Sequence, residues 1–326
     1  MTKLVLLCCV IAIAVPATYS QMAVTGQGVA GMNVDKVVEM DLLTQTELAD
    51  KIAHGWTSVF LVAGGTEIRG PQAIIGVHSI LAHQRAVESA KRLGNTIVAP
   101  VIPYAVQATG GYNAANWQKY MADGTTARDV GAIQVSSETF KGIIQGGVES
   151  LAYMGFKDIF LMGDHGGGQN EMKQIVDEMN PKLSARGVKL YHITDFYQKT
   201  HDDIDTYNAN HRLPVAGHGG MMETAEMMYW EPTQFAYVRP NYKTVPYSGN
   251  SDDIDGFLAR KAGTAAPAGA RGAGGGGGGQ RGPTVYPTGN PHFATKDIGK
   301  DYAEIGISNT VNQVKKMLAD RKAAKQ

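Results

Sequence analysis

The chain has 326 residues, 43% of them apolar, and a formal net charge of zero. That length holds one large α/β domain or two small ones. The charge balance leaves no basic footprint for nucleic acid, so no nucleic-acid partner is expected.

The first twenty residues read as a secretory signal peptide. Lys3 gives the positive start, residues 4–15 are apolar, Pro16 breaks the run, and Thr18 and Ser20 are small. The run is too short for a comfortable membrane span. The mature chain is therefore expected to start near Gln21, to be secreted or periplasmic, and to have no membrane partner after cleavage. Both cysteines, Cys8 and Cys9, fall in this segment. The mature chain then has no disulfide or catalytic thiolate, and any metal must be held by histidine and carboxylate.

From there strand-like and helix-like runs alternate. Short buried strands are predicted at 57–62, 95–100, 158–162 and 188–192. Helical patterns lie at 44–54, 78–93, 136–154 and 169–185. Such alternation predicts an α/β fold with a mostly parallel sheet covered on both faces. Ligands bind beyond the carboxyl ends of strands in sheets of this kind. The loops at 63–77, 102–117, 163–170 and 194–220 are then the informative ones. Residues 262–283 include ARGAGGGGGGQRGP, which cannot bury a core and reads as a disordered insertion in one domain spanning 21–326. A last helix is predicted over 296–321, with Ile307, Val311, Val314 and Leu318 on one face.

Three of these stretches carry titratable side chains among glycines. GDHGGGQN at 163–170 lacks the Gly-Lys-Ser/Thr ending of a phosphate loop, and Asp164 would repel a phosphate. A metal ledge using His165 suits it better, with the solvated loop as the plain alternative. AGHGGMMETAEMMYW at 216–230 sets His218 in a loop and Glu223 in a first helical turn, where both can face one centre. Glu226 follows at i+3. The methionines there are expected in the core, and Glu223 has an alternative as an ordinary helix-start carboxylate. GGTEIRGPQAIIGVHS at 64–79 brings Glu67, Arg69 and His78 to the same end of the sheet. A Glu67–Arg69 surface ion pair is its plain alternative.

Together these stretches resemble the creatininase, or creatinine amidohydrolase, family. The first matches the family's Gly-Ser-x-Glu-Gln-His-Gly-Pro motif at Gly64, Glu67, Gly70, Pro71 and Gly76. The second matches Asn-Gly-His-Gly-Gly-Asn at His165, Gly166 and Gly167. The third matches His-Ala-Gly-x-x-Glu-Thr at His218, Gly220, Glu223 and Thr224. Pro103-Tyr104 and the segment 289–299 agree as well, so the resemblance covers about 38–320 outside the glycine tract. It implies a three-layer α/β sandwich, a homo-oligomer (often a hexamer), a small-molecule substrate, and divalent metal at the strand ends.

The family's usual site is binuclear, and here two positions depart from it. Arg69 stands at a histidine position and His78 at the bridging aspartate position. A guanidinium cannot ligate a metal, so the resemblance implies one ion per chain, zinc by expectation with manganese or iron as alternatives. Glu67, His78, His165 and Glu223 would hold it. The expected activity is hydrolysis of a carbon–nitrogen bond in a small amide, lactam or formamide. His218 would move the proton, Arg69 would stabilise the oxyanion or hold a substrate carboxylate, and Glu223 would assist. Asp164, Tyr112, Trp117 and Trp230 are candidate pocket residues. The alternatives are a lactone hydrolase or lyase on a sugar-like substrate, and a non-catalytic binding protein.

Overall fold

A computed structural model describes residues 33–106, 132–263 and 286–324. The N-terminal apolar run, the glycine tract beyond Gly263, Tyr112 and Trp117 lie outside these residues. In chain order the elements are α1 (Gln45–Ala53), β1 (Ser58–Ala63), α2 (Val77–Leu93), β2 (Thr96–Val98), β3 (Ala105–Val106), β4 (Gln134–Val135) and α3 (Ser137–Met154). Then come β5 (Asp158–Gly163), α4 (Gln169–Ser184), β6 (Lys189–His192), α5 (Gln198–Asn210), α6 (Met221–Trp230), α7 (Ile254–Lys261) and α8 (Lys296–Ala323). Among the described residues no helix is long and apolar enough to cross a membrane.

The central sheet is parallel, in the order β2-β1-β5-β6. Every residue of β1 and β5 is buried, as expected of strands covered on both faces. Alternate side chains feed two cores. Val59, Leu61, Ile159 and Leu161 meet Phe140, Ile144, Met172 and Ile175 of α3 and α4. Phe60, Val62, Phe160 and Met162 meet Ala82, Ala86, Ala90 and Val314 of α2 and α8. The result is a helix–sheet–helix stack. The β3–β4 pair forms a separate two-stranded sheet, too short to show as a period in the sequence.

Helix ends follow local chemistry. Thr44 and Glu47 form a reciprocal capping box at α1. Left-handed Gly94 and Gly155 close α2 and α3. Met221, Met227 and Met228 are buried, packing α6 with Val77, Leu81 and Tyr302, so they are core residues as expected. Gly299 is needed where α8 crosses α6: a Cβ there would lie 1.9 Å from the carbonyl oxygen of Ala225.

One expectation is corrected. The 194–220 segment is not a continuous loop, because α5 occupies Gln198–Asn210. Its buried face includes Thr200, Asp205 and Asn208 beside Ile204 and Ala209, so the apolar period that marks a helix is diluted by polar residues.

Gly299→Ala should lower the unfolding free energy by about 1–3 kcal/mol. A denaturant midpoint equal to that of the wild type would show that α6 and α8 tolerate the extra carbon. A second expectation concerns pH. Burial pushes His192 and His201 down to about 4, against about 6.5 in an unfolded chain. Below pH 6.5 the unfolded chain therefore binds protons that the folded one refuses, and stability falls as pH drops toward 4. Thermal melts between pH 7 and 4 should show this slope, and it should be shallower in His192→Gln/His201→Gln.

Candidate active site

The register of Ala63 against Gly163 ends β1 and β5 at the same edge. It places the 64–76 loop beside Asp164 and His165. The loop before α6 joins them from the other side. Gln72 stitches the two loops together, its Nε2 donating to the carbonyls of Arg69 at 2.7 Å and Gly219 at 2.8 Å. Gly219 has φ +64°, and a Cβ there would stand 2.2 Å from the Arg69 carbonyl oxygen. Only glycine allows that approach. Segment 286–290 holds the same loop from behind, since the Thr288 and Gly289 amides both donate to the His218 carbonyl.

Polar side chains converge on one oxygen. Glu67 Oε2 lies 2.8 Å from Arg69 Nη2, 2.9 Å from His165 Nε2 and 3.1 Å from His78 Nε2. His218 Nδ1 is 3.7 Å from the other oxygen, Oε1. His78 sits on the first turn of α2, and its Nδ1 is 3.0 Å from Asp164 Oδ2. The carboxylate thus holds the proton on Nδ1 and leaves the Nε2 lone pair to accept from Arg69 Nη2. His165 Nδ1 accepts the Gly167 amide at 2.8 Å, which leaves the Nε2 proton facing Glu67.

Beneath this lies a buried charge network. Arg69 Nε donates to Glu223 Oε1 at 2.8 Å, and Glu223 Oε2 accepts the Gly219 amide. Arg85 Nη1 donates to Asp164 Oδ1 at 2.7 Å, and its other donors reach both oxygens of Glu226. Arg69, Arg85, Asp164, Glu223 and Glu226 are all buried. Such groups stay charged only because each faces an opposite charge.

The protonation preferences follow from this. Burial works to raise the Glu67 carboxyl, but the Arg69 charge and the His165 and His78 hydrogen bonds hold it well below the usual carboxylate range. Burial works against charged His78 and so does Arg69, but the neighbouring Asp164 and Glu67 carboxylates outweigh them and raise it. Glu226 is pushed up by burial, even against Arg85.

Solvent reaches the site from one side. The side chains of Glu67, His165 and His218 are 20%, 14% and 26% exposed, whereas Arg69 is 1% exposed. An incoming molecule meets the first three and does not meet the arginine.

Of the residues singled out in the sequence, the fold thus unites Glu67, Arg69, His78, Asp164, His165, His218 and Glu223. Glu67, His78 and His165 form a group whose ligand atoms lie within 4.8 Å of one another and could hold a metal ion. One carboxylate and two imidazoles suit that role, and Asp164 supplies the outer carboxylate that ligating histidines use. Glu223, expected as a fourth ligand, instead pairs with Arg69. Arg69, expected to touch substrate, spends its donors on Glu223, Glu67, His78 and the Ile68 carbonyl. Asp164, expected in the pocket, lies beneath it between His78 and Arg85. Trp230 packs among Ala303, Ile307 and Val311 and donates to Glu226. It belongs to the helical layer because α6 turns it away from the strand ends. The expected Glu67–Arg69 pair is present, but it is buried at the arginine and so is not a surface pair.

Sequence reasoning missed Arg85 and the pair Tyr197–His201, whose rings are 4.4 Å apart. Arg85 had a usable signal: it follows His78 by seven residues, two turns along one helix face otherwise lined by Leu81, Ala82 and Ala86. Tyr197 precedes, and His201 lies in, the helix that sequence periodicity did not reveal.

The parallel sheet thus carries a carboxylate–imidazole centre at its carboxyl edge. The family model of creatinine amidohydrolase matches residues 41–314, and the chain belongs to the creatininase family. Its fold is similar to the crystal structure of creatinine amidohydrolase (creatininase), at 18% identity and TM-score 0.60, covering 86% of this chain and 98% of that one. A manganese creatininase gives 18% identity and TM-score 0.59 over 86% and 99%. A creatininase variant complexed with creatine gives 17% and 0.57 over 86% and 99%. A search of curated protein sequences finds no match to the chain.

Replacing Arg85 with Met should destabilise the fold by about 3–5 kcal/mol, since the buried carboxylates Asp164 and Glu226 would lose the cation they share. Equilibrium unfolding in urea measures this, and a loss under about 1 kcal/mol would show that water reaches the pair.

Proposed function

We propose that the protein hydrolyses a carbon–nitrogen bond in a small amide, lactam or formamide at the mouth formed by Glu67, His165 and His218. The observation that carries this is the convergence of one carboxylate and three imidazoles, counting His78, at the carboxyl edge of a creatininase-family sheet. One divalent ion per chain, zinc or else manganese or iron, would be held by Glu67, His78 and His165. When bound, it supplies Lewis-acid activation of a carbonyl group.

The chain's own groups do the rest. His218 is the most exposed of the four, and its Nδ1 lies 3.7 Å from Glu67 Oε1. It can take a proton on the attacking side and return it to the leaving nitrogen. Asp164 keeps the His78 proton on Nδ1, so that Nε2 remains an electron-pair donor. The buried Arg69–Glu223 pair holds Glu67 ionised from below, where substrate does not reach. A relative solved with creatine supports a small polar substrate.

The test is a panel of small lactams, formamides and linear amides, with lactones of matching size alongside. The expected result is release of amine or acid from at least one nitrogen compound. His218→Ala should lower kcat by about 10²–10⁴-fold with the metal content unchanged. Turnover of lactones alone would overturn the carbon–nitrogen reading, and full activity in His218→Ala would remove the proton-transfer role.

A further inference from the structure

Arg69 stands where the ligand atoms of Glu67 and His78 face each other. Its Nη2 donates to Glu67 Oε2 at 2.8 Å and also contacts His78 Nε2. With the His78 proton held on Nδ1 by Asp164, Nε2 has a single in-plane lone pair. That pair can accept a guanidinium N–H or bind a metal ion, but not both. The guanidinium cannot discharge itself by losing a proton. It is also buried, so its repulsion of a doubly charged ion is weakly screened.

His165 is committed in the same direction. The Gly167 amide occupies its Nδ1 at 2.8 Å and sets the Nε2 proton toward Glu67. Metal binding through Nε2 requires the other tautomer. An acceptor for the relocated Nδ1 proton lies nearby, the Gly167 carbonyl at 3.4 Å.

We propose that Arg69 and a divalent metal ion are mutually exclusive occupants of the space between Glu67 and His78. Arg69 is then the resident cation, and metal loads only when its side chain withdraws. This rests on the reading of Glu67, His78 and His165 as metal ligands. Glu223 is the anchor of the arginine-in state, through Nε at 2.8 Å, and not a ligand of the ion. The metal affinity of the wild-type chain is then its intrinsic value multiplied by the fraction of molecules in which Arg69 has withdrawn.

The contrasting reading makes Arg69 an outer partner that orients the ligands. Removing such a partner weakens metal binding by about 10–100-fold. Removing a competitor strengthens it. The two readings therefore predict opposite signs.

The experiment uses the full chain, stripped with a chelator and titrated with Zn²⁺ against a chromophoric chelator. It compares wild type, Arg69→Gln and the double variant Arg69→Gln/Glu223→Gln, with circular dichroism as the check on folding. The double variant removes one charge of each sign, so local charge is preserved, and it remains informative if the single variant fails to fold. Both should bind one Zn²⁺ per chain at least about a hundredfold more tightly than wild type. Adding His165→Ala to either should abolish the gain. Wild-type binding as tight as that of the variants would overturn the competition while leaving the metal reading intact. Weaker binding in the double variant would make Arg69 or Glu223 a supporter of the ion and overturn it equally. No binding by any of the folded chains would overturn both the metal reading and the competition built on it.

Discussion

The buried guanidinium of Arg69 is the interaction on which this site depends. It ties the loop after β1 to α2 through His78 and to α6 through Glu223. Its backbone carbonyl is what the glycine loop before α6 packs against. A charge this deep persists only with carboxylates around it, and those carboxylates persist only with the charge. The arginine therefore fixes the positions of Glu67 and Glu223 together. A second pair of the same kind, Arg85 with Asp164 and Glu226, sits one layer down, and Asp164 links the two through His78.

This two-tier arrangement divides labour by depth. The lower groups are sealed and serve to set charge and tautomer. The upper groups, Glu67, His165 and His218, are partly exposed to solvent. The parallel sheet makes the division possible. All its strands end at one edge, so loops far apart in sequence deliver their side chains to one place.

The chain keeps the creatininase scaffold. Glu67 and His165 stand at positions the family resemblance assigns to ligands, and Arg69 and His78 replace the residue types expected there. Each replacement would be disruptive alone. An arginine without Glu67 and Glu223 beside it would be an unpaired buried charge. A histidine at position 78 without Asp164 would lack a partner to fix its proton. The structure supplies both partners, so the altered residues form one self-consistent set.

The sequence by itself determined the layered α/β fold and most element boundaries. Continuous apolar runs such as Val59 to Val62 and the capping pair Thr44–Glu47 are local signals, and local signals are written in neighbouring residues. It also determined which loops carry chemistry, because glycines beside His165 and His218 at strand and helix ends mark close backbone approach. The polar-faced α5 was illegible, since its buried Asp205 and Asn208 find partners only in the folded chain, at the Ala216 amide and the Pro214 carbonyl. The roles of Arg69, Asp164 and Glu223 were decided by tertiary structure alone. Whether a titratable side chain faces solvent, a metal or an opposite charge depends on groups up to 154 residues away along the chain, and pairing at that range leaves no trace in the spacing of adjacent residues.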